Sequence, residues 1–390
     1  MQHVYIVGSK GIPAQYGGFE TFVDKLTEKQ TDSQIRYHVA SLRNNSELSK
    51  YLDRFEYNGA DVFSIDVPNL GPAKAIVYDI KALKFAINDA KEQGYQRPIF
   101  YVLASRIGPF IGQLKREITR MGGVLYLNPD GHEWKRAKWS KPVRTYWKYS
   151  EKYMVKHADL VIADNPIIED YIRNEYQQYK PMTTYIAYGT DVTPSSLDHD
   201  DAKVRDWYEK FGIEENNYYL IVGRFVPENN YETMIREFMK SNSHKDLVVI
   251  TNVEHNAFYQ QLIEKTHFDS DKRIKFAGTM YDQDLLKYIR ENAFAYFHGH
   301  EVGGTNPSLL EAMATTQLNL LVDVGFNRAV AGDSAIYWNK NSGDLAQVIN
   351  QADSLRQDEL DNKQKLARKR VKDKFAWPKI VTKYEHTFVE

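Results

Sequence analysis

Three stretches of the chain collect residues that could handle a phosphorylated ligand. In HGHEVGGTNPSLLEAM (298–313), a glycine pair and a Thr-Asn-Pro turn lead into an apolar helix. Gly303, Gly304, Thr305 and Asn306 can offer backbone N–H groups to an anion, and Pro307 or Ser308 suits a first helical turn. Glu311, one turn in, can accept two hydrogen bonds from vicinal hydroxyls. Phosphates would repel that carboxylate, so a ribose or sugar ring is the better target. The alternative is an acid that merely complements the helix dipole. In VGRFVPENNYETM (222–234), Arg224 directly follows a strand-like run, where a guanidinium can capture an oxyanion through two parallel hydrogen bonds. A surface Arg paired with Glu228 is the competing reading. In GSKGIPAQYGGFETFV (8–23), Gly8 and Gly11 allow a tight turn, and Gly17 and Gly18 precede a helix beginning near Phe19. A phosphate can dock at such an N-terminus where no Cβ blocks it; a loop used only for chain reversal is the alternative. The spacing is not G-x-G-x-x-G, which argues against a nicotinamide dehydrogenase.

A fourth stretch, NPDGHEWKRAKWSKPVRTYWKYSEKYMVK (128–156), has a different character. Asp130, His132 and Glu133 follow a strand, where a general base or substrate-binding group belongs. Beyond them Lys135, Arg136, Lys138, Lys141, Arg144, Lys148, Lys152 and Lys156 interleave with Trp134, Trp139, Tyr146, Trp147, Tyr149 and Tyr153. Cations among interfacial aromatics suit an anionic bilayer surface or a pyrophosphate-linked lipid. Single-stranded nucleic acid uses the same chemistry, but no recognition motif accompanies it, so no nucleic-acid partner is expected. A basic helix packing its aromatics inward is the plainer alternative. No H-E-x-x-H or DxD-type cluster argues for a metal, and no G-x-S-x-G elbow for a hydrolase.

These loops need elements to hold them. Strand-like runs at 4–8, 35–42, 98–104, 123–131 and 158–165 alternate with helical periodicity at 19–29, 73–92 and 112–121. After residue 200 the alternation restarts, with strands at 218–225, 246–253, 273–278, 293–299 and 319–325. The pattern predicts two doubly wound α/β domains facing a cleft, joined by a hinge near 185–201. A chain of 390 residues exceeds what one core usually supports, which agrees. The formal net charge of −1 gives no global case for nucleic acid or anionic membrane, so any electrostatic partner must be met by a local patch. Cysteine is absent, which excludes disulfides and thiolate chemistry. The N-terminal residues lack a signal-peptide core, and the apolar run PIFYVLASRIGPFIG is broken by Arg106, Gly108 and Pro109. A membrane would therefore be met from the side.

GIPAQYGGFETFV, DGHEWKRAKW, GRFVPENN and HGHEVGGTNPSLLEAM together resemble GT-B glycosyltransferases of family 4. Within it they are most similar to the bacterial rhamnosyltransferase subgroup of capsular and cell-wall polysaccharide assembly. IAYGTDV resembles the hinge of those enzymes, and residues 375–390 their terminal helix, which crosses back onto the first domain. The resemblance implies an N-terminal acceptor-side domain (1–190), a nucleotide-sugar domain (191–374) and a crossover helix (375–390). It implies transfer of L-rhamnose from dTDP-L-rhamnose to a lipid-pyrophosphate-linked sugar, retaining and β-1,4, with no metal. The site would be the cytoplasmic face of the cell membrane, reached peripherally. Other transferases or epimerases of the fold that use nucleotide sugars are the alternative. Asp130, Arg224 and Glu301 are implied as catalytic. Gly17, Gly18, Arg224, Asn229, Gly303, Gly304, Thr305, Asn306 and Glu311 would bind the donor. Tyr16, Glu133, Trp134, Lys135, Arg136, Lys138 and Trp139 would meet the acceptor and membrane. The chain departs from the family at three points. Asn229 stands where a Lys is usual, and Gly303 replaces the first of two paired glutamates, with Glu301 two residues early. Asp130 lies nearest to the usual histidine.

Overall fold

The structure, a computed structural model, describes residues 1–15, 17–136, 139–253 and 256–389. Tyr16 and Lys138, both expected on the acceptor side, lie outside the described residues. The chain divides into two compact units, Met1–Gly189 with Trp377–Glu390, and Thr190–Ala376. Each is a Rossmann-like α/β unit, as the alternation predicts.

The first unit runs β1 (Gln2–Val7), α1 (Gly18–Glu28), β2 (Ile35–Leu42), α2 (Glu47–Tyr51), β3 (Arg54–Tyr57), β4 (Ala60–Ile65), α3 (Lys74–Glu92) and β5 (Ile99–Leu103). It continues through α4 (Gly108–Arg120), β6 (Val124–Asn128), α5 (Lys141–His157), β7 (Leu160–Ala163), α6 (Pro166–Glu175) and β8 (Thr183–Tyr185). Sheet order is β3-β4-β2-β1-β5-β6-β7-β8. Among the described residues, every strand pairing in this sheet is parallel except β3 with β4. Ile99 to Leu103 are all buried, as an apolar run covered by helices on both faces must be. The β3–β4 hairpin and β8 depart from the expected strand set. The hairpin turns at Asn58-Gly59 with φ of 50° and 71°, the left-handed pair that Asn-Gly favours. Helix α4 begins at Gly108, not at residue 112, because Pro109 fits a first turn that needs no amide proton.

The second unit runs α7 (Ala202–Phe211), β9 (Tyr218–Val222), α8 (Tyr231–Lys240), β10 (Asp246–Ile250), α9 (Ala257–Thr266), β11 (Ile274–Gly278), α10 (Gln283–Glu291) and β12 (Ala295–His298). Then come α11 (Pro307–Thr315), β13 (Asn319–Val322), α12 (Gly325–Ala331), β14 (Ile336–Trp338), α13 (Asp344–Asp353) and α14 (Gln357–Lys374). Its parallel sheet has the order β11-β10-β9-β12-β13-β14; β14 was not expected. One face packs Tyr219, Phe238, Phe297 and Trp338, and the other Trp207, Tyr218, Leu286 and Ile289. Strand order reverses at β9, which pairs with β10 on one side and β12 on the other. Loops leaving the carboxyl ends of β9 and β12 therefore part around a crevice, the usual ligand position in such sheets.

Helix α15 (Trp377–Val389) returns to the first unit, against α1, β1 and β2. Glu385 fixes it there, accepting from Thr31 N and Thr31 Oγ1 at 2.6 Å and from Asp32 N at 3.0 Å. Tyr384 and Phe388 are buried beside Tyr101.

Candidate functional site

The crevice of the second unit gathers most of the donor-side residues named above. Gly223 directly follows β9, and a Cβ there would come within 3.1 Å of the His300 ring. Glycine thus lets the two loops touch. Asn229 Nδ2 donates to Arg224 O at 2.8 Å, and Asn230 Nδ2 to Gly299 O at 2.8 Å. The Arg224 side chain is exposed and pairs with nothing among the described residues, Glu228 included, while Glu228 itself is buried. Asn229, expected on the donor side, is buried, and its amide braces the Arg224 backbone.

Gly303 has φ 137° and open space where a Cβ would stand. The loop enters α11 through Asn306, whose Oδ1 accepts from Ser308 N at 2.9 Å, with Pro307 in the first turn. Ser308 and Tyr296 hydroxyls lie 2.8 Å apart, and each reaches Val222 O at 3.0 Å. This ties the helix start to β9. Thr305 is buried in the same turn. Behind it, His298 is fully buried and stacked on His300 with centroids 4.4 Å apart. Burial, reinforced by His300, holds its pKa well below the ordinary value, so it is neutral at pH 7.

The two acids of this loop fare differently. Glu311 meets Arg290 of α10 at 2.6 Å, and its side chain keeps 39% of its exposure. Glu301 is paired with Lys340 at 2.6 Å. Nothing in the sequence singled out Arg290 or Lys340; both lie outside the motifs.

In the first unit, Gly17 caps α1, and a Cβ there would collide with Glu20 Oε2 at 1.9 Å. Glu20 Oε1 accepts from Lys10 N at 2.7 Å, so Gly17 serves the loop's own closure. Gly18 has nothing within 4 Å of its Cβ position and is the glycine of the pair open to a ligand. Arg106, read from sequence only as a break in an apolar run, supports this loop. Its Nη1 donates to Gly8 O at 2.7 Å and to the buried Asp79 at 3.0 Å.

Asp130 sits at φ 60°, its Oδ1 accepting from Gly131 N at 2.8 Å. With Glu133, Trp134, Trp147 and Glu151 it lines one small pocket. Glu133 accepts from Trp139 Nε1 at 2.9 Å and pairs with Arg136. Lys135 lies over Trp134, 5.2 Å from its ring centroid. Of the segment expected to face a membrane, Arg136 and Trp139 are thus drawn into local contacts. Glu151, missed as a site residue, is buried and accepts from the Tyr171 and Tyr176 hydroxyls; burial raises its pKa against those donors.

His132 is buried in the next turn, edge-on to Tyr171 at 4.3 Å. Burial, then Lys135 and Lys148, lower its pKa to about 4. Folding therefore favours the neutral ring. Its stabilisation is complete above the unfolded value of 6.5 and is lost as pH falls toward 4. Thermal melts should show the first unit weakening by roughly 2–3 kcal/mol across that window. His132→Asn should flatten the slope, and an unchanged slope would count against this assignment.

Among the described residues, no group of three or more His, Cys, Asp or Glu could hold a metal, and no helix is long and apolar enough to cross a membrane. Residues 1–191 match a domain of unknown function, DUF1972, and residues 204–371 match the family described as glycosyl transferases group 1. No curated protein matches the sequence significantly. Several solved structures share the fold at low identity. Sucrose-phosphate synthase of Thermosynechococcus elongatus is 16% identical with TM-score 0.77, covering 100% of this chain and 98% of its own. HepE of Anabaena in complex with UDP is 14% identical with TM-score 0.72, covering 100% of both chains. A glycosyltransferase of Rickettsia africae is 15% identical with TM-score 0.73, covering 99% of this chain and 97% of its own. The two Rossmann-like units thus carry the GT-B fold class. Residues 204–371 form a glycosyl transferases group 1 domain, and the chain is a glycosyltransferase.

Proposed function

We propose that the chain moves L-rhamnose from dTDP-L-rhamnose to a sugar carried on a lipid pyrophosphate, retaining and β-1,4, in bacterial surface-polysaccharide synthesis. One observation carries the donor half: at the β9–β12 reversal, the Gly303–Asn306 loop enters α11 while the neighbouring loop after β9 carries Arg224, exposed and unpaired among the described residues. As the glycosidic bond breaks, charge grows on the leaving diphosphate. A guanidinium and preorganised N–H groups there stabilise it with no metal required. That HepE was solved with UDP supports a nucleoside diphosphate at such a site. Retention implies front-face attack, with a donor phosphate oxygen assisting deprotonation. In this reading Asp130 orients the acceptor, and Lys340 positions Glu301. Incubating the protein with nucleotide sugars and lipid-linked acceptors, then reading masses, is the test. The acceptor should gain one 6-deoxyhexose only with the dTDP donor. Conversion of the donor alone would indicate an epimerase.

The acceptor half extends to the anionic inner membrane surface. Helix α5 exposes Lys141, Arg144, Tyr149, Lys152 and Lys156, and Phe110 of α4 is also exposed. At about 1 kcal/mol per basic residue near an anionic surface, replacing these four cations with glutamine should reduce partitioning by about 100-fold or more. Cosedimentation with phosphatidylglycerol vesicles measures it. Undiminished binding, or equal wild-type binding to neutral phosphatidylcholine vesicles, would refute the surface.

A further inference from the structure

Arg290 lies in the last turn of α10 with 4% of its surface exposed. Its Nη2 lies 2.6 Å from Glu311 Oε2, while its Nε is buried without a hydrogen-bond partner. Burying a guanidinium is costly unless a partner is fixed beside it. Here that partner is a carboxylate whose side chain keeps 39% of its exposure. The helix that carries the arginine is itself fixed. Asp282 Oδ1 caps α10 by accepting from Asp284 N at 3.1 Å and Leu285 N at 3.0 Å, and Leu285, Leu286 and Ile289 seat the helix in the core.

This arrangement divides the carboxylate. With both oxygens free, Glu311 could take the 2′ and 3′ hydroxyls of a ribose together. With Oε2 held by the charge-assisted bond to Arg290, its remaining lone pair is weakened as an acceptor, and Oε1 is the oxygen left wholly to a ligand hydroxyl. We infer that Arg290 is a positioning residue that sets Glu311 for one ribose hydroxyl, so that the donor site takes 2′-deoxynucleotides as readily as ribonucleotides. Arg290 is thereby a determinant of donor class. The inference rests on the nucleoside-diphosphate reading of this crevice.

Calorimetric titration with matched diphosphates tests it. Thymidine diphosphate is set against 5-methyluridine diphosphate, with deoxy and ribo pairs of adenine, guanine and cytosine alongside. Wild type should bind the two members of its preferred pair within about threefold. In Arg290→Leu the freed Oε2 gains the 2′ hydroxyl, and the ribo form should become favoured by about tenfold or more. Arg290→Lys, which keeps a cation beside Oε2, should restore a ratio near that of wild type. Both members are measured on one preparation, so the ratio does not move with the folded fraction. A tenfold wild-type preference for ribose would overturn the inference, and so would an unchanged ratio in a folded Arg290→Leu protein. If wild type binds no diphosphate, the donor reading itself falls and takes this with it.

Discussion

Arg224→Ala is expected to lower kcat/KM by about 10²–10³ while leaving the melting temperature within about 2 °C of wild type. The split follows from where the residue stands. Its backbone is held by Asn229, but its guanidinium is exposed and makes no ion pair among the described residues. Alanine therefore removes no interaction of the fold, and substitutions at such positions usually change stability by under about 0.5 kcal/mol. On the proposed donor reading, what is lost is a cation for the charge that develops on a leaving diphosphate, on the order of 3–4 kcal/mol in the transition state. Arg224→Lys keeps the charge without the two-pronged geometry and should fall between, about tenfold down. Steady-state kinetics beside a thermal melt decides the matter. A variant that melts early, or one that turns over normally, would remove Arg224 from the chemistry.

Gly108→Ala should have the opposite signature. A Cβ at Gly108 would lie 2.1 Å from Ser150 O and 2.5 Å from Ser150 Cα, which is backbone and cannot rotate aside. The same contact carries two hydrogen bonds, Gly108 N to Ser150 Oγ at 2.7 Å and Ser150 Oγ to Ser105 O at 2.6 Å. One methyl group would force α4 and α5 apart along their shared face. Overpacking against a rigid neighbour costs about 3 kcal/mol, and the broken hydrogen bonds add to it. For a unit of this size that corresponds to roughly 10 °C. Calorimetry should resolve a lowered transition for the first unit beside an unshifted one for the second. Two unshifted transitions would mean that the helices do not meet at backbone distance.

How legible was this in the sequence? Long alternation of apolar runs with helical periodicity was enough for two Rossmann-like units, because fully covered parallel strands such as Ile99–Leu103 have no polar face to disguise them. Short edge strands were harder. RFEYNGADVF is broken by Arg54, Glu56 and Asp61, and only its Asn-Gly dipeptide marks a hairpin. In the site, the loops stood out because glycines and caps leave a local mark. Their supports did not. Arg290 and Lys340 reach Glu311 and Glu301 from distant segments, and one buried arginine in a helix looks like any surface arginine until the packing is known. Gly17 is ambiguous in the sequence for a physical reason, since its missing Cβ also makes room for Glu20.

The return of α15 to the first unit has a consequence for how the protein is made. Thr190–Ala376 is a continuous segment inserted within a discontinuous partner. During synthesis the first sheet emerges early, yet Tyr37, Tyr101 and Phe22 wait uncovered for Tyr384 and Phe388 until the whole insert has left the ribosome. The second unit can thus mature alone, whereas the first depends on it having been translated. A gene fragment stopping at Gly189 would yield a sheet with an aromatic flank bare. Splicing Gly189 directly to Trp377 would not, because a Cβ on Gly189 would already touch that indole.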